Sequence, residues 1–144
     1  APIMAGLLVT ISDVSGPIGT AKEAMAIVKG VTETAASTNN ELIKAVADQV
    51  TQFSGRANLP DLPNDLAGAR NFLIQGCKQA VAVVATKSRA EADEYKHWLT
   101  TLAQKASEAS KEGGFLGFGG TRVSDDEAAA VKELSTALGM SAKA

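Results

Sequence analysis

Five segments of this chain place apolar residues at steps of three, four and seven, the spacing that gives an α-helix one buried face. The pattern predicts helices near residues 17–36, 40–54, 64–86, 88–111 and 124–138. No segment of useful length alternates apolar and polar residues in the way that a half-buried strand would. Alanine, the strongest helix former, is abundant throughout. We therefore predict an all-α fold, a mostly antiparallel bundle of about five helices.

The length of 144 residues suits one helical-bundle domain that covers residues 1–144. Residues 1–16 are expected to form an N-terminal arm or a short helix that covers part of the core. Their apolar stretch is shorter than the roughly 20 residues that a membrane span requires, and it lacks the basic leader of a secretory signal. The default expectation for the location of the protein is therefore cytoplasmic.

Local signals predict where several helices begin. Asn39 or Asn40 can cap the second helix, and Asn64 can cap the third, because short polar side chains accept hydrogen bonds from the first free backbone N–H groups. The capping-box spacing S-x-x-E occurs twice, beginning at Ser88 and at Ser124. These four positions mark the predicted starts of four of the five helices.

The predicted core follows from the apolar stripes. The helix near 64–86 has the widest apolar face, so we expect it to be the central one. Gly139 is expected to close the last helix. The side chains expected to be buried are those of Met25, Val46, Leu73, Cys77, Val81, Val84, Trp98 and Leu102.

A glycine-rich loop at residues 113–123 precedes the last predicted helix. Its glycines permit positive φ angles and allow several backbone N–H groups to converge, and the following helix N-terminus favours an anion. The loop and helix start are therefore the candidate site for a small ligand or a partner. The candidate contact residues are Gly113, Gly114, Phe115, Leu116, Gly117, Phe118, Gly119, Gly120, Arg122 and Ser124.

Three interpretations of this loop stay open. It can be a connector in which Phe115, Leu116 and Phe118 plug the end of the bundle, which agrees with the acidic residues at 125–127 that would repel an anion. It can bind a small ligand at 113–124, in a binding protein or an enzyme, although it matches neither the P-loop nor the dinucleotide spacing. It can touch a membrane surface through the same three apolar side chains. This last interpretation is the least favoured, because no lysine-rich face flanks them.

The run from Lys111 to Gly120, followed by Val123-Ser124 and Glu127, resembles the C-terminal segment of a group of small bacterial all-helical proteins. The likeness extends from Ser88 onward. The resemblance implies a helical fold, and it brings no activity, cofactor or catalytic residue with it.

The single histidine, His97, follows Asp93 by one helical turn and Glu94 by three residues. Such a trio can form part of a metal site or an acid–base pair. No second Glu-x-x-His segment accompanies it, as a di-metal bundle would require. We therefore expect a solvated helix face with an ion pair.

The single cysteine, Cys77, lies on the same predicted stripe as Leu73 and Val81. Buried cysteines behave as small apolar side chains with a raised pKa and low reactivity. We expect Cys77 to pack in the core, without a catalytic role.

The functional expectation is a noncatalytic helical protein with an interaction or structural role, as a homodimer or with another protein. One histidine and one cysteine cannot complete a transition-metal site, and no cofactor is expected. A net charge of −2 disfavours nucleic acid as a partner. No nucleophile–base pair or phosphate loop occurs at a suitable spacing, so no catalytic residue is assigned.

Overall fold

The structure, a computed structural model, describes residues 1–12, 21–53, 61–112 and 125–140, and these residues contain six α-helices. The all-α prediction is confirmed for this part of the chain. Each of the five predicted helices has a counterpart, and the sixth is formed by residues expected to be an arm or a short helix. The helices are α1 (Pro2–Thr10), α2 (Ala21–Ala36), α3 (Glu41–Phe53), α4 (Leu66–Ala85), α5 (Arg89–Glu112) and α6 (Asp125–Ala137).

Two of the predicted helix caps are confirmed. The Asn40 side-chain oxygen accepts a hydrogen bond from the Ile43 backbone N–H at 3.1 Å, at the start of α3. The Ser88 hydroxyl accepts one from the Glu91 N–H at 3.2 Å, at the start of α5. Each bond satisfies a backbone donor that the helix itself leaves free.

The cap of α4 lies one residue later than predicted. Asp65, in an extended conformation, accepts a hydrogen bond from the Gly68 N–H at 2.7 Å. The prediction that Asn64 caps this helix is therefore wrong, because Asp65 is the residue directly before the first helical position. The capping box that begins at Ser124 lies outside the described residues.

The end of α6 agrees with the expectation for Gly139. This glycine has a φ of 72°, a left-handed conformation that costs glycine least. Its N–H donates to the Thr136 carbonyl at 3.0 Å, and the Met140 N–H donates to the Ser135 carbonyl at 2.9 Å. This pair of bonds is the Schellman arrangement that closes a helix.

The centre of the fold is formed by α1 and α5, which corrects the prediction that α4 is central. Helix α1 packs against α2, α4, α5 and α6, and α5 packs against all five other described helices. A helix that is apolar on every side is typical of a central position. Helix α1 is such a helix, since its buried residues are Pro2, Ala5, Gly6, Leu7, Leu8 and Val9.

Two glycines allow α1 to approach its neighbours closely. A Cβ atom on Gly6 of α1 would lie 2.7 Å from Cγ2 of Ile27 on α2. A Cβ atom on Gly76 of α4 would overlap the sulfur of Met4 on α1. Packing of α1 against α2 therefore depends on the absence of a side chain at Gly6, whereas the end of the flexible Met4 side chain can move away from position 76.

One cluster of buried apolar residues draws on all six helices. Of the residues predicted to be buried, Leu73, Cys77, Val81, Trp98 and Leu102 are buried. Val46 and Val84 are half-buried.

Met25 is 72% exposed, so its prediction as a core residue is wrong. Helix α2 turns a different face inward, the one that carries Ile27, Val31 and Ala35. At 3.6 residues per turn, Met25 lies on the far side of the helix from Ile27. The error arose because α2 has apolar residues on more than one side.

Helices α2 and α5 run antiparallel. The Trp98 indole N–H donates to the Thr34 hydroxyl at 2.8 Å. Gly30 lies one turn earlier on α2 and faces Leu102, which lies one turn later on α5.

Within the described residues, no helix combines the length and the apolar character needed to cross a membrane.

Candidate functional site

The glycine-rich candidate site lies outside the described residues. All ten of its predicted contact residues fall within 113–124, between the end of α5 and the start of α6. Its three interpretations, as a connector, a ligand site or a membrane contact, therefore stay predictions.

The polar side chains around His97 do not converge on one point. His97 is exposed on α5. The Asp93 carboxylate accepts a hydrogen bond from the Lys96 ammonium group at 2.9 Å. The Glu94 carboxylate accepts one from the Asn40 side-chain amide at 2.6 Å, and so ties α5 to the start of α3.

The pKa of Asp93 is lowered, first by the hydrogen bond from Lys96 and second by the charge of that lysine. A carboxylate held in its charged form by a neighbouring lysine is a surface ion pair, as expected for this face. No cluster of three or more His, Cys, Asp or Glu side chains that could hold a metal ion occurs in the described part of the chain.

Cys77 is fully buried in α4, as predicted. Its thiol donates a weak hydrogen bond to the Ala1 carbonyl at 3.6 Å. Burial raises the pKa of the thiol to about 11, because the charged thiolate would lose its hydration. A thiol with this pKa is almost entirely protonated near neutral pH, so it is a poor nucleophile.

The aromatic residues of α5 have structural roles. The rings of Tyr95 and Trp98 have centroids 5.5 Å apart with their planes tilted by 55°, an arrangement that aromatic pairs favour. Burial raises the pKa of the Tyr95 phenol to about 12. The hydrogen bond between Trp98 and Thr34 satisfies the buried indole N–H. These groups anchor α5 in the core.

Two open depressions lie on the described surface. The described residues that line the larger one, about 440 Å³, all belong to α6. The smaller, about 410 Å³, lies between the start of α4 and Glu133 of α6. The Arg70–Glu133 ion pair, with an N–O distance of 2.6 Å, joins the two helices there. This ion pair already satisfies the two charges at the depression.

The outer face of α4 carries less charge than that of α5. Only Lys78 is charged among the ten exposed residues of α4, which are Leu66, Ala67, Asn71, Phe72, Gln75, Lys78, Gln79, Ala82, Val83 and Ala85. By contrast, α5 exposes Arg89, Glu91, Asp93, Glu94, Lys105 and Glu108.

Two large apolar side chains lie on this charge-poor face. Phe72 is 40% exposed and Val83 is 67% exposed. They are eleven residues apart, which is close to three helical turns, so they share one side of the helix. Gln79 lies exposed on the same side between them, whereas the neighbouring Gly76 is half-buried against Met4 of α1. We call the three residues Phe72, Gln79 and Val83 the α4 strip.

Sequence reasoning missed the α4 strip because it considered only the buried stripe of this helix, which includes neither Phe72 nor Val83. The available signal was the scarcity of charge along residues 71–85, where Lys78 is the only charged residue. The prediction that this helix is central rests instead on its wide apolar face.

Comparison of the chain with models of protein families, with curated protein sequences and with solved structures gave no match.

Proposed function

We propose that this protein is a noncatalytic protein-interaction module, in which a mostly antiparallel helical bundle presents the α4 strip to a protein partner. The observation that carries the proposal is the exposure of Phe72 and Val83 on a helix face whose only charged residue is Lys78.

The composition of this face suits a protein contact. The centres of protein interfaces are depleted in charged residues and enriched in aromatic ones, because a charge loses its hydration when the contact forms. The side chains that flank the strip on α4 are largely uncharged amides and alanines, among them Asn71, Gln75 and Ala82. A partner covers these groups at lower cost than charges when it supplies hydrogen bonds to the amides.

The surroundings of the two most reactive side chains support a noncatalytic role. The Cys77 thiol is buried and has a pKa of about 11. The acidic neighbours of His97 are hydrogen-bonded to Lys96 and to Asn40, which gives them structural partners on the surface.

Site-specific photo-crosslinking tests the proposal. A benzophenone amino acid replaces Val83, and in a matched control it replaces Thr101, an exposed residue of α5. Both proteins are irradiated in cells of the natural source. We expect a covalent adduct of discrete mass from position 83, and we expect Phe72→Glu in the same chain to abolish it.

Two results would contradict the proposed function. One is the absence of any adduct from position 83. The other is an equal yield from positions 83 and 101, which would show that the contacts are random collisions. Because Val83 is largely exposed, the replacement leaves the core intact, and circular dichroism verifies the helical content.

A further inference from the structure

We infer that Met4 is a redox-sensitive latch between α1 and α4. While the Met4 sulfur is reduced, it helps to hold the first turn of α1 over Cys77. When a hydroperoxide has oxidised the sulfur, that turn loosens and the thiol becomes accessible. The inference concerns the buried side of α4 and does not depend on the proposed function. It is carried by the position of Met4 against Gly76 and by the contact between Ala1 and Cys77.

The thioether end of Met4 occupies the space that Gly76 leaves open by having no side chain. A Cβ atom on Gly76 would overlap the Met4 sulfur, and it would lie 3.0 Å from Cε and 3.9 Å from Cγ of the same side chain. Met4 is half-buried, so a molecule as small as a peroxide has access to part of it. The sulfur is therefore both a packing group between two helices and a group within reach of an oxidant.

The residue next to Gly76 is Cys77, which the same turn of α1 covers. Cys77 is fully buried, and its thiol donates to the Ala1 carbonyl at 3.6 Å. Ala1 and Met4 lie within one helical turn of each other. The first turn of α1 thus contacts α4 at two consecutive residues, Gly76 and Cys77. A movement of this turn away from α4 opens both contacts together.

Oxidation removes the Met4 side chain from this contact. The sulfur donates an electron pair to one oxygen of the hydroperoxide, the O–O bond breaks, and the other oxygen leaves as water or an alcohol. The product is a sulfoxide, which is polar where the thioether was apolar. Burial of its oxygen against Gly76 without a hydrogen-bond donor costs free energy, and the flexible side chain can turn to solvent instead. Methionine sulfoxide reductases reverse the oxidation, so the change is a switch.

The other two methionines lack this arrangement. Met25 is 72% exposed, so a sulfoxide there stays in water. The sulfur of Met140 accepts a hydrogen bond from the Thr100 hydroxyl at 3.3 Å, and a sulfoxide oxygen can accept from the same donor. Oxidation at these positions should leave the packing of α1 unchanged, which makes them internal controls.

The rate at which N-ethylmaleimide alkylates Cys77 tests the inference in the full chain. The chain has three methionines, so Met25→Leu/Met140→Leu keeps Met4 alone and Met4→Leu keeps the other two. Each protein is oxidised with hydrogen peroxide, catalase removes the excess, and mass spectrometry of peptides locates every added oxygen. In Met25→Leu/Met140→Leu the rate should rise about tenfold, the factor that corresponds to a loss of about 1.4 kcal/mol from the closed state. Methionine sulfoxide reductase should return the rate to its starting value.

A second pair of variants tests the latch without peroxide. Met4→Gln places a polar side chain of similar length on Gly76, and it should raise the alkylation rate as the sulfoxide does. Met4→Leu keeps an apolar side chain of similar volume there, and its rate should stay near that of the wild type before and after oxidation.

Three results would overturn the inference. The first is an unchanged rate after Met4 is oxidised or replaced by glutamine. The second is an equal rise in oxidised Met4→Leu, which would assign the effect to another residue. The third is a loss of the helical circular dichroism signal along with the rise, which would show global unfolding. None of these results bears on the crosslinking at position 83, so the proposed function is tested separately.

Discussion

Replacement of Gly6 by alanine tests whether α1 is packed as closely as the structure indicates. A Cβ at this position would lie 2.7 Å from Cγ2 and 2.9 Å from Cγ1 of Ile27. Isoleucine has one strongly preferred χ1 rotamer in a helix, and both of these carbons are bonded to its Cβ. The clash therefore cannot be relieved by a rotation at the end of the side chain, and α1 or α2 must shift.

The expected change in the free energy of unfolding of Gly6→Ala combines two opposing effects. Alanine is better than glycine in a helix interior by about 1 kcal/mol. Overpacking of a dense core costs about 1–3 kcal/mol. Gly30 of α2 is the matched control, since the nearest atom to its added Cβ is Cδ2 of Leu102 at 3.9 Å, an ordinary contact. Gly30→Ala should therefore stabilise the protein by about 0.5–1 kcal/mol. The free energy of unfolding of Gly6→Ala should be lower than that of Gly30→Ala by about 1–3 kcal/mol.

Urea denaturation followed by circular dichroism measures the two free energies of unfolding. For a chain of this size, each kcal/mol corresponds to about 4 °C in the melting temperature, which provides a second readout. The reasoning would be refuted if Gly6→Ala stabilised the protein as much as Gly30→Ala does. That result would mean that α1 and α2 are not in close contact at Ile27.

Two further predictions concern buried polar groups. Thr34→Val should reduce the free energy of unfolding by about 1–3 kcal/mol, because the buried Trp98 indole N–H loses its acceptor. The control Thr32→Val, on the exposed side of α2, should have little effect in the same urea titration. The free energy of unfolding of the wild type should fall as the pH rises from 9.0 to about 11, since the folded state keeps the Cys77 proton that the unfolded state releases. Denaturation at several pH values should show a shallower fall for Cys77→Ala. An equal fall would contradict the raised pKa of the Cys77 thiol.

The helix ends were determined largely by the sequence itself. Asn40 and Ser88 cap helices by bonding to backbone groups three residues away, and Gly139 ends α6 because it adopts a left-handed conformation. These are interactions within a few consecutive residues, so the local sequence is enough to predict them. The shift from Asn64 to Asp65 shows the remaining error when two capping residues are adjacent.

The direction in which each helix faces was decided by the tertiary structure. Met25 was expected in the core and is exposed, because α2 has apolar side chains on several sides and its neighbours cover the side that carries Ile27, Val31 and Ala35. The short apolar segment at the N-terminus was expected to form an arm or a short helix covering part of the core, and as α1 it packs against four other described helices. Periodicity indicates that a helix has an apolar face, whereas burial depends on which other helices are near.

The exposure of the α4 strip was also decided by tertiary packing and not by the local sequence. The scarcity of charge between residues 71 and 85 is visible in the sequence, and by itself it is equally compatible with a central helix and with an exposed binding face. The structure separates the two because α1 occupies the centre and leaves Phe72 and Val83 in contact with solvent. Long-range packing determines which apolar side chains are covered, and no local property of α4 carries that information.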